Sequence, residues 1–269
     1  MNESLQYTIR GLTYWLECAN PLSKTVTARH LPLGLRLRGY KRDAVGRGLY
    51  RRGVHEPGLT NFLLNTFANA TGSNFIDAGA NIGYFSCLLS KLAGSTGKVL
   101  AIEPEPQNRQ LLENNLRTNR LTNVVVHACA LGARNASARM GLYKAANRGR
   151  HSLVDLDSCK SFLEVPVRTL DDLVRESAPR VKSWALMKID VEGYEAFVFE
   201  GAAETLSRTE ILAMEYAPSY WKKAGVDSGA IFEKLSAHFS RIHRIHGMDL
   251  VEVTRKSLGD HTVDLVFRR

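Results

Sequence analysis

The stretch Asn74–Gly83, N-F-I-D-A-G-A-N-I-G, constrains this chain more than any other. Phe75 and Ile76 are apolar and lead to an acid, Asp77. A glycine turn follows through Gly83, and an amphipathic run extends from Tyr84 to Leu92. This order reads as a buried strand, a tight turn and a helix start. Glycine admits backbone dihedrals that a Cβ forbids and lets the main chain approach a ligand closely. In open α/β sheets ligands bind in the crevice beyond the carboxyl ends of the strands. The turn is therefore a candidate ligand cradle.

From Asn74 onward strand and helix patterns alternate. Strands are expected at Phe75–Asp77, Lys98–Glu103, Val124–Ala128, Trp184–Asp190 and Glu210–Tyr216, and helices at Tyr84–Leu92, Gln107–Asn119, Ala196–Ser207 and Ser228–Phe239. Val-rich runs that are apolar on both faces fit a parallel sheet covered by helices on both sides. The late, closely linked runs Arg241–His246 and Thr262–Phe267 suit an antiparallel pair at one sheet edge. Residues 71–269 thus read as one α/β domain with an insertion at about 132–183. Within that insertion a small hairpin is expected, followed by a helix capped by Thr169. Residues 1–70 read as an extension that serves as a substrate lid or an oligomer contact. Leu5, Ile9, Leu12 and Leu16 recur there at helical spacing, and scattered glycines then interrupt residues 31–58. That helix is expected to pack on the main domain, with a membrane surface as the other option.

Charge and cysteine usage narrow the class. The net charge is +9, and residues 29–52 hold eight Lys and Arg against one acid, Asp43. Such a surface raises the case for an anionic partner. Basic residues interleaved with aromatics at stacking spacing would mark an RNA module; only Tyr40 and Tyr50 answer to that, so nucleic acid is a possible partner but not the favoured one. Cys18, Cys87, Cys129 and Cys159 lack C-x-x-C spacing, which suggests reduced thiols in a cytoplasmic setting. No run of about eighteen apolar residues occurs, so no transmembrane span is expected. The N-terminus lacks the pattern of a signal peptide. Nothing in the sequence speaks to the oligomeric state.

The ligand can be read from what the turn lacks. A dinucleotide calls for G-x-G-x-x-G after the first strand, whereas here the pattern is D-x-G-x-x-x-G. Glu103 ends the second strand, twenty residues after Gly83, where a carboxylate can accept both ribose hydroxyl hydrogens. A ribose without a pyrophosphate, and a second acid at Asp77 beside the turn, suit a nucleoside carrying an amino acid and a sulfonium. That description fits S-adenosylmethionine.

F-I-D-A-G-A-N-I-G-Y-F-S, A-I-E-P and above all M-K-I-D-V-E-G-Y-E resemble the FkbM-type methyltransferases. The resemblance covers about Asn74 to Tyr216. It implies a Rossmann-like, seven-stranded methyltransferase sheet, mostly parallel with one antiparallel edge strand, and S-adenosylmethionine as cofactor. It also implies methylation of a hydroxyl on a small molecule such as a polyketide, sugar or other secondary metabolite. Carried over, Asp77, Gly79, Asn81 and Gly83 match the cofactor loop and Glu103 the ribose acid. Asp190, Glu192 and Glu195 match the second signature. Family members often have a histidine after the acid of strand five; here Glu215 is followed by Tyr216-Ala217-Pro218. Pro104 and Ala130, at the ends of strands two and three, are candidate ribose and adenine neighbours, and Asp190 is a candidate contact on the far side of the cofactor.

For catalysis, Asp190 ends strand four beside the expected methyl position, and Glu192 lies two residues on. Either could orient or deprotonate the acceptor, since two close carboxylates push one pKa upward. His151 and His55 are rival bases on loop-like stretches, because histidine titrates near neutrality. Acids at 190, 192 and 215 could hold Mg²⁺ through oxygen, but no acid pair at a strand end strengthens this, and no metal centre is expected. The alternatives to a small-molecule O-methyltransferase are an RNA- or protein-directed methyltransferase using the basic N-terminal segment, and a binding module that keeps the fold without the reaction.

Overall fold

The computed structural model describes residues 3–29, 31–143, 151–154, 159 and 161–269. The first seventy residues hold helix α1 (Glu3–Ala19), an antiparallel ribbon of β1 (Thr25–Ala28) and β2 (Leu37–Tyr40), and helices α2 (Ala44–Arg52) and α3 (Pro57–Thr66). Asp43 starts α2 by accepting from the Val45 and Gly46 amides, a local cap that pulls this acid out of solvent.

The rest of the chain runs β3 (Phe75–Ala78), α4 (Tyr84–Ala93), β4 (Val99–Ile102), α5 (Pro106–Thr118) and β5 (Val124–His127). An inserted sheet follows, made of β6 (Ala130–Leu131), β7 (Ala136–Leu142) and β8 (Ser161–Arg168). The chain then continues as α6 (Leu170–Ser177), β9 (Leu186–Ile189), α7 (Glu195–Glu200), α8 (Ala203–Ser207), β10 (Ile211–Tyr216), α9 (Pro218–Lys223), α10 (Ser228–Ser236), β11 (Arg241–His246), β12 (Asp249–Glu252) and β13 (Val263–Arg268).

The main sheet has the order β12-β11-β13-β10-β9-β3-β4-β5. Strands β5, β4, β3, β9 and β10 are parallel. The expected Rossmann-like, mostly parallel sheet is present, with two differences in detail. The antiparallel strand β13 lies inside the sheet, between β10 and β11, and an eighth strand, β12, takes the edge. β12 folds back on β11 through the two-residue loop Gly247-Met248, with Gly247 at φ 61°. Most of its residues are exposed, so no burial imposed an apolar pattern on them.

Side-chain parity divides the core. Ile76, Leu100, Met187 and Leu212 face α6 to α10, where Leu173, Phe199, Leu206, Trp221 and Leu235 are buried. Phe75, Val99, Leu186 and Ala213 face α3, α4 and α5. The extension joins this second layer: Leu35, Leu37, Leu49 and Leu63 are buried in the same cluster as Phe75, Leu88 and Leu112. The β2 backbone is held by α5 side chains that imitate a neighbouring strand. The Asn115 amide accepts from the Arg38 N–H at 2.8 Å and donates to the Arg38 carbonyl at 3.0 Å. Asn119 treats Arg36 in the same way, at 2.9 and 2.7 Å.

The single helix expected over Ala196–Ser207 is two. A Cβ on Gly201 would stand 2.1 Å from the Gly132 carbonyl oxygen, so the chain must thread past the insert there. Asp171 then starts α8 by accepting from the Glu204 and Thr205 amides at 3.0 and 2.8 Å. In the insert the expected hairpin is β7–β8, and β6 adds a parallel third strand. Asn147–Arg150, part of the irregular stretch expected from the sequence, lie outside the described residues. Among the described residues, no helix is long and apolar enough to cross a membrane.

The chain moves outward from β3 to β4 and β5, then returns to place β9 on the other side of β3. This reversal opens a crevice at the carboxyl ends of β3 and β9, the position where such sheets bind ligands.

Candidate functional site

A cavity fills that crevice. Its walls include Gly79, Asn81, Glu103, Pro104, Ala130 and Asp190 from the sequence-expected cofactor set, and Glu192 and His151 from the catalytic set. Gly79 adopts φ 78°, and a Cβ there would stand 1.8 Å from the Asp190 carbonyl oxygen. The turn after β3 and the end of β9 can therefore meet only through a glycine. Glu103 is buried and holds its own loops. Its Oε2 accepts from the Asn81 amide at 2.8 Å and its Oε1 from the Glu105 amide at 2.9 Å. Burial pushes this carboxyl up to about 7, against the opposing pull of the two amides. Each of its oxygens retains lone-pair capacity toward the cavity.

Two amide oxygens in the wall, Asn81 Oδ1 and Asn108 Oδ1, are buried without a hydrogen-bond partner. Such groups are costly unless a ligand or water satisfies them. Cys129, Leu131, Met140, Leu153 and Tyr194 complete an apolar side to which the insert contributes. His151 sits on that side, its Nδ1 accepting from the Tyr143 amide at 3.0 Å.

Asp77 and Gly83 do not line this cavity. Gly83 caps α4 at φ 86° and packs on Leu112. Asp77 points into the layer beneath the turn. It is fully buried, its Oδ2 accepting from Ser86 Oγ at 2.5 Å. Its partner in register on β9 is Lys188, whose ammonium lies 4.0 Å from Asp77, 3.3 Å from Asp190 and 5.1 Å from the Phe85 ring centre. Burial alone would lower the Lys188 pKa, but Asp190 and Asp77 outweigh it and the net shift is upward. The Asp77 pKa is raised by burial, with Lys188 and Ser86 opposing.

On the far side of Asp190 lies a second cavity, walled by Glu56, Lys188, Asp190, Glu215 and Asp264 with Leu59, Met214 and Leu265. Burial first, then the neighbouring Asp190 and Asp264, push Glu215 up to about 8. Burial, Glu56 and Asp190 push Asp264 up to about 7. Glu56 behaves differently. Burial works to raise it, but the hydrogen bond and charge of His55, 3.0 Å away, and the charge of Lys188 bring it below its ordinary value. His55 thus borders this second cavity through Glu56, packed edge-on to Tyr84. Asp190 is the acid common to both cavities.

Residues 77–245, well over half of the chain, match the methyltransferase FkbM domain. The chain belongs to this family. It is 29% identical over 147 residues to Methyltransferase 1 of Beauveria bassiana, covering 48% of this chain and 58% of that relative. It is 31% identical over 165 residues to methyltransferase sdnD of Sordaria araneosa, covering 51% of this chain and 63% of that relative. The chain thus spans less than two thirds of the length of these relatives. Among solved structures, methyltransferase FkbM from Methylobacillus flagellatus KT shares the fold. Its TM-score is 0.51 at 22% identity, covering 81% of this chain and 49% of that one.

The FkbM-type run K-I-D-V-E-G-Y-E has a local physical reason. Glu195 is buried, and its Oε1 accepts from the Val191 and Gly193 amides, each at 3.2 Å. Its Oε2 accepts from the Trp221 indole at 2.8 Å. The last acid of the signature therefore clamps the loop that presents Asp190 and Glu192. Gly193, at φ 96°, leaves room for Tyr220, whose Cβ would stand 2.6 Å from a Cβ there. Glu192 takes φ 53°, and its carbonyl accepts from Ser152 Oγ at 2.8 Å, tying the insert to the loop.

Sequence reasoning missed Asn108 and Lys188. Asn108 had a signal: Pro106 opens α5 after the capping Glu105, which puts position 108 in the first turn facing the crevice. Lys188 had one too, as the only charge inside the four-residue strand L-M-K-I.

Proposed function

We propose that this chain is an S-adenosylmethionine-dependent methyltransferase acting on a hydroxyl group of a small molecule. The observation that carries the reading is Asp190, which stands in the walls of two cavities at the switch point of the sheet. One cavity has the features of a nucleoside site and the other those of an acceptor site. The residues present suit the cofactor. Glu103 offers carboxylate oxygens to the ribose hydroxyls, and Asn81 and Asn108 bring buried oxygens that lack partners. Gly79 keeps the wall clear, and Cys129, Ala130 and Leu131 give an apolar face for adenine. When bound, the cofactor supplies an electrophilic methyl group on a sulfonium.

The chain's own residues then hold the acceptor and move its proton. Asp190, paired to Lys188, orients the hydroxyl at the junction of the cavities. A general base is worth roughly 10²–10⁴-fold, most effectively when its pKa lies near the working pH. Glu215 and Asp264, raised to about 8 and about 7, meet that condition. His151 and Glu192 stand on the cofactor side and close that cavity, and the extension joins the acceptor side through Glu56 and Leu59. The second cavity, with Lys188 as the one cation among the described residues of a wall that also holds Glu56, Asp190, Glu215 and Asp264, offers little to the phosphates of an RNA acceptor.

The test has two stages. Titration calorimetry with S-adenosylhomocysteine is expected to show one site, and absence of binding sinks the proposal. Methyl transfer from labelled cofactor is then followed on a panel of hydroxyl compounds, total RNA and bulk protein. Label entering RNA or protein but no hydroxyl compound refutes the substrate class. Asp190→Asn is expected to cut turnover far more than it weakens cofactor binding; equal losses would make Asp190 a structural residue only.

A further inference from the structure

Helix α1 leaves its apolar side uncovered. Ile9, Leu12, Trp15 and Leu16 are 42%, 65%, 71% and 73% exposed, and Leu22, in the turn after the helix, is 94% exposed. At 3.6 residues per turn these four helical positions fall within about 120° of the helix circumference. They form one stripe, and large exposed apolar patches mark interaction surfaces.

The opposite side explains why the stripe stays outside. Tyr14 is buried, its ring centre 5.6 Å from that of Tyr50, and its hydroxyl donates to the Lys41 carbonyl. The Lys41 ammonium in turn donates to the Glu17 and Cys18 carbonyls at 3.3 Å, placing a cation at the helix C-terminus. The helix is therefore docked by its Tyr14 side and cannot roll to bury the stripe without breaking these bonds.

The surroundings are basic. Arg10, Arg29 and Arg38 line the same surface depression as Ile9 and outnumber the one acid among its described lining residues, Glu17. Arg29, Arg36, Arg38, Arg42, Arg47 and Arg52 are all exposed on the ribbon and α2. The one acid among residues 24–52, Asp43, is buried in its capping role.

We propose that α1 seats the chain on an anionic lipid surface, with Ile9, Leu12, Trp15 and Leu16 in the headgroup–acyl boundary and the neighbouring arginines over the headgroups. An apolar stripe with an interfacial tryptophan, rimmed by arginines, has the chemistry of a surface-lying amphipathic helix. Charge decides between lipid and a second copy of the chain. A two-fold contact through α1 would set the same basic rim against itself, whereas an anionic bilayer neutralises it. Phosphate alone could also satisfy the arginines, but it leaves the apolar stripe in water.

The experiment is vesicle co-sedimentation of the full chain. Vesicles of phosphatidylcholine with about 30% phosphatidylserine are expected to bind it at least about tenfold more tightly than phosphatidylcholine alone, with the difference shrinking as salt rises. Of the three tryptophans, Trp184 and Trp221 are 0% and 1% exposed, so quenching of the exposed fluorescence by brominated lipid reports Trp15. Leu12→Ser with Leu16→Ser is expected to lower vesicle affinity by about tenfold or more without moving the melting temperature. Three results would overturn the proposal. They are no difference between the two vesicle types, vesicle binding unaffected by the double substitution, and a solution dimer that the double substitution converts to monomer.

Discussion

Replacing Lys188 with methionine tests the electrostatic centre of the site. The substitution keeps most of the stem's volume and removes one cation. Lys188 is 4% exposed, and its ammonium lies 3.3 Å from Asp190 and 4.0 Å from the fully buried Asp77. At 4 Å and an effective dielectric near 20, one such pair is worth about 4 kcal/mol before desolvation. Removing one partner of a buried pair costs about 3–5 kcal/mol, because the other charge is left uncompensated. The cost should depend on pH. The Asp77 pKa is raised by burial even with Lys188 in place, and it rises further once the cation is gone. For a carboxyl whose folded pKa exceeds its unfolded value, stability is fully present below the unfolded pKa and is lost as pH rises through the folded one. Lys188→Met is therefore expected to lose about 3–5 kcal/mol at pH 8 and clearly less at pH 5, where Asp77 takes up a proton. Urea unfolding followed by tryptophan fluorescence measures both values. A loss under about 1 kcal/mol at pH 8, or equal losses at the two pH values, would refute the view that Lys188 is held as the counter-charge of this layer.

Gly79→Ala forces a Cβ to within 1.8 Å of the Asp190 carbonyl oxygen at φ 78°. The dihedral alone costs about 1–2 kcal/mol, and the contact adds to it, so a marked drop in melting temperature is expected; an unchanged melt would show that the turn and β9 are not in close approach. Cofactor affinity is expected to fall as pH drops through about 7, because protonating Glu103 removes an acceptor for the ribose hydroxyls. The decline approaches about tenfold per pH unit and should vanish in Glu103→Gln, which is weaker throughout; a flat calorimetric profile in the unsubstituted chain would remove the ribose assignment.

The parallel strands were legible because each is a short apolar run bounded by turn residues, and burial on both faces leaves little room for polar residues. β12 was not legible because exposure lifts that constraint. The break between α7 and α8 was hidden because glycine is tolerated inside a helix pattern, while its cause, the Gly132 carbonyl, lies some seventy residues earlier in the chain. The site divides in the same way. Gly79, Asn81, Glu103 and Asp190 sit at strand ends or in the glycine turn, so the topology alone brings them to one crevice. The sequence does not state which face of a strand a residue takes. Asp77, one residue before the end of β3, faces the layer that holds Lys188 and Ser86 rather than the cavity. Glu56, Glu215 and Asp264 come from three distant segments, and no local pattern links them.

These placements suggest a division of labour in the proposed reaction. Asp190 meets the Lys188 ammonium at 3.3 Å, which fixes its side chain at the junction of the two cavities. A group so placed is suited to orienting the acceptor hydroxyl. The Glu215 and Asp264 carboxyls are raised, Asp264 against the opposing charge of Lys188. Burial and their shared negative surroundings already favour their protonated forms, to about 8 and about 7. A proton leaving the acceptor would thus pass to Glu215 or Asp264, where it relieves repulsion among the acids of the second cavity. The buried lysine then serves both sides of the sheet end: it lies 4.0 Å from Asp77 beneath the glycine turn and anchors the Asp190 side chain between the two cavities at 3.3 Å.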